Sequence, residues 1–350
     1  MRAHSLVLVG GLVAATALGG CATMSSVKGP PMGGTVHMYK QGSGGDHANC
    51  YWIETPQGAV VVDVPLSITE TKRMKGLMDR PYRIYITAAH PERFGGLDVM
   101  RQPGDVPAFT TPAVATEIQN HGDTRLAPLH REFGQDVPRH VNAPTPAVEE
   151  RTQDMIGDDL EVDTLPLGPA ESDASLALYL PKTGELIAGD VVAGGDHVDL
   201  TWGRSVVWQD RINELKALNP KLVYPGHGTP GGPELLDQTL AYLKYFHDAV
   251  AEKVKPGAPA RISKADLAAI RQKMLLQYPK LGRPELLDKS IPAEYAVQLA
   301  ALPPAPATPA APGAPGQAPP AGAPAASPSA ATAPPASSNS VDDLLNAGKK

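Results

Sequence analysis

An α/β fold is predicted for residues 35–301 of this 350-residue chain. Three observations predict it. Short apolar runs of strand length alternate with longer helical patterns, glycine and proline punctuate the joins, and no segment repeats at a fixed period.

The elements follow in order. TVHMYKQ (35–41) and ANCYWIE (48–54) read as strands, Gln57-Gly58 as a turn, and AVVVDVP (59–65) as a short buried strand bounded by Pro65. ITETKRMKGLMD (68–79) has helical spacing, with Ser67 placed to accept from the first free backbone N–H groups. RIYITAA (83–89) is a further buried strand, VPAFTTP (106–112) another, and PAVATEIQNHG (112–122) a helix with Pro112 in its first turn and Gly122 past its end. Three strands follow at LEVDTLPLG (160–168), ASLALYLP (174–181) and GELIAGDVV (184–192), the last two joined at Lys182-Thr183-Gly184. SVVWQDRINELKALNP (205–220) is an amphipathic helix and KLVYPGHG (221–228) a strand with its loop. Helical patterns at 232–254, at 263–278 and after Arg283 end the ordered part; Gly122 to Gly157, rich in proline and scattered charge, reads as a long loop over one face.

The ends differ in kind. Arg2 and His4, an apolar run from Leu6 to Leu18, and Gly19-Gly20 before Cys21 form a short secretory signal, below the roughly 20 apolar residues of a spanning helix. This end resembles a bacterial lipoprotein signal, which implies cleavage after residue 20, lipidation of Cys21 and, with Ala22 following, an outer-membrane location facing the periplasm. Residues 21–34 are then a linker. From 302 to 350 the chain is rich in proline, alanine, glycine and serine, too poor in apolar side chains to offset chain entropy, and is expected to be a disordered tail whose partner is unknown.

Charge and cysteine count narrow the function. A net charge of −6 with no Lys/Arg cluster argues against nucleic acid. With Cys21 lipidated, Cys50 has no disulfide partner and is expected to be a buried small hydrophobe.

The residues with chemical reach stand where strands end. Asp63 closes VVVDVP; His90, Glu92 and Arg93 follow the ITAA strand in a turn that Gly95-Gly96 opens into a helix; Asp190 closes LIAGD; His227 lies in PGHG. Four such landmarks in this order resemble the metallo-β-lactamase superfamily from about Gly34 to Val254. The resemblance implies a four-layered αβ/βα sandwich with its metal site on one edge, here followed by C-terminal helices and the tail.

Against the superfamily's HxHxDH motif, this chain offers Ala88, His90, Glu92 and Arg93, and Glu171 in GPAESDAS stands where the next histidine is expected. Of the two metal positions the resemblance implies, the first becomes Ala88, His90, Glu171 and Asp190, and the second Glu92, Arg93, His227 and Asp190. A protonated guanidinium has no lone pair for a metal, and although Arg93 alone does not exclude metal, together with Ala88 it argues against an ordinary dinuclear zinc site. A single divalent cation (zinc, iron or manganese) on His90, Asp190, His227 and one of Glu92 or Glu171 is chemically sound. Glu92 and Asp190 are then the catalytic carboxylates, with Glu92 a base for water. Arg93 and His197 are placed to orient a small-molecule substrate, and His47 and Asn49 border the pocket on an earlier loop. The activity implied is metal-assisted hydrolysis of an ester, amide, lactone or phosphoester, without choice among them. The alternative is a binding or scaffold protein without metal, in which Arg93 fills the cationic place and pairs with Glu92, Glu171 or Asp190. His37, His121, His130, His140 and His247 read as surface or packing residues, and Tyr242, Tyr245 and Phe246 as one packed helical face.

Overall fold

A computed structural model describes residues 23–28 as backbone and residues 35–104, 106–158 and 160–303. The expected lipidation site Cys21, the expected signal and the expected tail from 304 onward lie outside the described residues.

The first sheet runs in strand order β1 (Thr23–Lys28), β2 (Thr35–Lys40), β3 (Asn49–Thr55), β4 (Gly58–Val62), β5 (Tyr82–Tyr85), β6 (Ala108–Thr110), β7 (Thr145–Pro146). It is antiparallel up to β4 and parallel from β4 onward. On it lie α1 (Ile68–Lys75), α2 (Pro91–Phe94), α3 (Leu97–Arg101) and α4 (Pro112–Phe133). The second sheet has the order β12 (Leu222–Gly228), β11 (Glu185–Gly194), β10 (Ser175–Leu180), β9 (Leu160–Gly168), β8 (Thr152–Ile156), with only the β11–β12 pair parallel. It is covered by α5 (Ser205–Lys216), α6 (Glu234–Ala251), α7 (Lys264–Gln277) and α8 (Leu287–Ala300).

Strand alternation produces the layers. In β3, Cys50 and Trp52 face the helices of the first sheet while Tyr51 and Ile53 face the second sheet; in β4, Val61 and the pair Val60/Val62 divide in the same way. Both faces of these strands are therefore covered, and every residue of β4 is buried. Each such valine contributes about 1.5–3 kcal/mol of burial. Three cores result: helices on the first sheet, sheet on sheet, and the second sheet under its helices, which is the four-layered sandwich. Cys50 is fully buried in the first of them.

Two segments differ from the sequence reading. Residues 23–28, read as linker, pair antiparallel with β2 along its length. Gly122 does not end its helix. It lies on the buried face of α4, where a Cβ would sit 3.6 Å from the Phe94 ring, so it is a packing glycine and the helix runs on to Phe133. What remains of the expected loop is residues 134–151, followed by β8 paired with β9. Ser67 caps α1 as expected, accepting from Glu70 N at 3.1 Å. Among the described residues, no helix is long and apolar enough to cross a membrane.

The fold sends its functional residues to one edge. Asp63 follows β4, His90 follows β5 and its loop, Asp190 lies in β11, and His227 lies in β12. Gly95 allows the turn after β5 to close there. A Cβ on it would fall 2.7 Å from Leu66 O and 2.9 Å from Leu66 Cα, so backbone meets backbone directly.

Candidate metal centre and cleft

The floor of the site is an ion pair. Arg93, in α2, has no solvent exposure. Its Nε donates to Asp190 Oδ2 at 2.8 Å and its Nη2 to Asp190 Oδ1; Nη1 donates to Asn49 O at 2.8 Å, Nη2 also to Gly226 O at 3.0 Å. Asp63 Oδ2 lies 3.6 Å from Nη1, and Thr87 holds the carboxylate, donating from N to Oδ1 at 2.8 Å and from Oγ1 to Oδ2 at 2.7 Å. Burial lifts Asp63 to about 7, against Arg93 and the Thr87 hydrogen bonds, which lower it. Burial acts on Asp190 in the same direction, but the Arg93 guanidinium, with His227 and His90, holds it well below the usual carboxylate range. Gly226 permits this contact: a Cβ there would lie 2.6 Å from Arg93 Nη2.

Two donor clusters stand above the floor. His90, Glu171 and Asp190 form one, and Asp46, Glu92 and His227 the other, with the potential ligand atoms of each within 4.8 Å of one another. In the first, His90 Nε2 and Glu171 Oε2 are 2.8 Å apart, and Ser172 Oγ donates to Glu171 Oε1 at 2.9 Å. Burial disfavours charge on His90, yet Glu171, with Glu92 and Asp190, raises it to about 10, so it holds a proton at neutral pH. In the second, burial pushes His227 down to about 3, assisted by Arg93 and Arg283 and opposed by Asp190, so its imidazole stays neutral. Its Nε2 lies 3.4 Å from Asp190 Oδ1, and its Nδ1 is buried without a hydrogen-bond partner.

This arrangement divides the expected site residues in its own way. His90 groups with Glu171 and Asp190, and His227 with Asp46 and Glu92, while His227 Nε2 stays 3.4 Å from Asp190 Oδ1. Arg93 neither turns to solvent nor lines the cleft; it lies behind the wall with its donors committed, so it does not orient substrate. Asp190, taken as a catalytic carboxylate, has both oxygens accepting from Arg93 and serves as the partner of that buried charge. The pairing of Arg93 with Asp190 is the one the metal-free alternative describes.

The other residues are placed as follows. Glu92 is half-buried in the cleft wall. His197 lines the cleft but is 1% exposed; its Nδ1 is 2.9 Å from Tyr242 OH, and its Nε2 has no hydrogen-bond partner. Asn49 is fully buried, donating to Pro225 O and Gly228 O, so it ties β3 to β12 rather than meeting a ligand. His47 is exposed. Asp46 and Arg283, which also line the cleft, were not legible as site residues. Asp46 stands beside His47 in a Gly-rich loop, which gave a weak signal; nothing local marks Arg283.

The donors fit a cation, though not the His-rich pair. Ala88 offers no ligand, and Arg93 puts a fixed positive charge on the floor. Against that, the carboxylates of Asp46, Glu92, Glu171 and Asp190 outnumber the guanidiniums of Arg93 and Arg283, and mixed carboxylate and imidazole suits zinc, iron or manganese.

Residues 43–227 match the metallo-beta-lactamase superfamily, and the chain belongs to it. The chain is similar to the metallo-beta-lactamase type 2 of Bacillus cereus, 25% identical over 207 residues, which is 55% of this chain and 71% of that protein. It is 23% identical over 206 residues to the metallo-beta-lactamase type 2 of Bacillus sp. (strain 170), with the same coverage. Of solved structures, the metallo-beta-lactamase from Pontibacter korlensis aligns with a TM-score of 0.50 at 19% identity over 63% of this chain and 99% of that one, a likeness of fold.

Proposed function

We propose that this protein is a hydrolase that works with one divalent cation held by Asp46, Glu92 and His227. The observation that carries this reading is that this cluster, unlike the other, contains no group hydrogen-bonded to Arg93 and offers a neutral imidazole with two carboxylates. A bound cation supplies Lewis acidity, which polarises a carbonyl or phosphoryl oxygen and makes water a better nucleophile. His90 and Glu171 are the proton-transfer pair: His90 Nε2 shares its proton with Glu171 Oε2 at 2.8 Å on the cleft wall, positioned to return a proton to a leaving group. Arg93 and Asp190 keep the floor rigid. The substrate class is a small ester, amide, lactone or phosphoester.

A panel of these four classes, assayed with zinc- and manganese-loaded protein, tests the reading. At least one class should turn over, with the rate lost in His227→Ala and reduced in His90→Gln. No turnover by any loaded form contradicts it.

A second reading has one observation behind it: Arg93 satisfies the partly buried Asp190 without any metal, so the fold can serve as a non-catalytic binding or scaffold protein. Cation binding without turnover of any class favours that reading.

For location, the sequence supports a lipid anchor at Cys21 and attachment to the outer membrane, facing the periplasm. Cys21→Ala should release the protein from the membrane fraction; retention of the variant there contradicts the anchor.

A further inference from the structure

Arg283 comes from the turn between α7 and α8, outside the stretch that matches the superfamily. Two backbone bonds pin this turn to the cleft wall: Gly282 N donates to Gly195 O and His197 N to Gly282 O, both at 2.9 Å. Arg283 itself sits at φ 57, the left-handed region that side chains other than glycine seldom adopt. Its Nη2 is 2.7 Å from Asp46 Oδ2, and its Nε is 3.8 Å from Glu285. Among the described residues lining the cleft it is the one Lys or Arg, facing carboxylates that include Asp46, Glu92 and Asp196.

Building on the hydrolase reading, we propose that Arg283 is the substrate-positioning residue, that the substrate carries a carboxylate or phosphoryl oxyanion, and that this oxyanion replaces Asp46 on the guanidinium. Asp46 belongs to two partnerships at once, with Arg283 and with the Glu92–His227 cluster. A carboxylate divided between a guanidinium and a divalent cation serves each less well than it would alone. An oxyanion that takes Arg283 releases Asp46 to the cation, and by linkage each ligand then strengthens the other. The planar fork of arginine suits either oxyanion, through two parallel N–H donors. The acidic wall gives the coupling its direction, because an anion enters such a cleft most readily when a cation offsets the carboxylates.

The experiment uses the full chain, with phenylphosphonate and benzoate as separate probes in ligand-observed NMR. At least one probe should bind the metal-free protein. Arg283→Gln should weaken that binding at least about tenfold, the loss of a charge-assisted pair. Arg283→Lys should fall between, and Asp46→Asn, which removes the competing carboxylate, should tighten binding. Manganese affinity, read by electron paramagnetic resonance, should rise several-fold with the bound probe in the unaltered protein and stay constant in Arg283→Gln. Unchanged probe binding in Arg283→Gln, weaker binding in Asp46→Asn, or failure of both probes overturns the proposal. Arg283-dependent probe binding in a protein that takes no manganese supports the positioning role and rejects the one-cation reading instead.

Discussion

Arg93 and Asp190 face each other as a two-pronged pair, Nε to Oδ2 at 2.8 Å and Nη2 to Oδ1, with the guanidinium fully buried. The pair places a protonated guanidinium, offset by Asp190, under the strand ends where the superfamily resemblance implies metal ligands. Its neighbours Asp63, Asn49 O and Gly226 O complete the guanidinium's surroundings, so the floor holds together through the chain's own groups. On the proposed reading, a cation is a functional addition at the wall rather than the support of the fold.

Removing one partner of this pair should be costly. Arg93→Ala leaves the partly buried Asp190 with its main counter-charge gone and empties a fully buried site, and a loss of about 3–5 kcal/mol is expected. Arg93→Lys should recover only part, since an ammonium cannot make both bonds. Arg93→Met combined with Asp190→Leu should cost less than Arg93→Met alone. Urea unfolding of the four variants measures this.

Stability should fall on the alkaline side, while on the acid side His227 and Asp190 act against Asp63, whose raised carboxyl favours the folded state at lower pH. His90, raised from its ordinary 6.5 to about 10, contributes stability that is complete below pH 6.5 and is lost as pH climbs through 10. His227, lowered to about 3, acts the other way: the folded state disfavours its protonation, so stability drops as pH falls from 6.5 toward 3. Asp190 adds to the acid side, since its depressed carboxyl contributes above the ordinary carboxylate range and loses that contribution as pH falls through it. Urea melts of the metal-free protein across this range should show His90→Gln flattening the alkaline limb, an effect on the order of 2 kcal/mol after solvent screening.

Gly226 should tolerate no side chain. Gly226→Ala would set a Cβ 2.6 Å from Arg93 Nη2 and 2.8 Å from Asp190 N, so the floor must move. Calorimetry should show destabilisation of at least about 2 kcal/mol, in the range of overpacked cores.

Tyr242→Phe removes the hydroxyl that meets His197 Nδ1, leaving both nitrogens of a buried imidazole without a hydrogen-bond partner. A loss of about 1–3 kcal/mol is expected, measured by denaturant midpoint.

The sheets were legible because their strands are buried on both faces, as in β4, and read as unbroken apolar runs. The α4 helix was cut short because Gly122 looks like a stop signal; the contact with Phe94 that keeps it inside the helix belongs to tertiary packing. His90, Glu171, Asp190 and His227 were found because strand ends carry them to one edge in a recognisable order. How they divide was hidden, since it depends on Asp46 meeting Glu92 and His227 from distant segments, while Arg93 with Asp190 was one of three pairings open in the sequence. Arg283 was hidden for the same reason. It enters the cleft from a turn beyond α7, held by backbone bonds that no local pattern announces.

The most direct test is the metal content of the full chain, loaded with zinc, iron or manganese, dialysed, and measured by mass spectrometry alongside His227→Ala and Arg93→His. The account predicts about one ion per chain in the unaltered protein, lost in His227→Ala, and a rise toward two when Arg93→His removes the fixed charge and frees Asp190 to join His90 and Glu171. Two ions in the unaltered protein, or none, would contradict it.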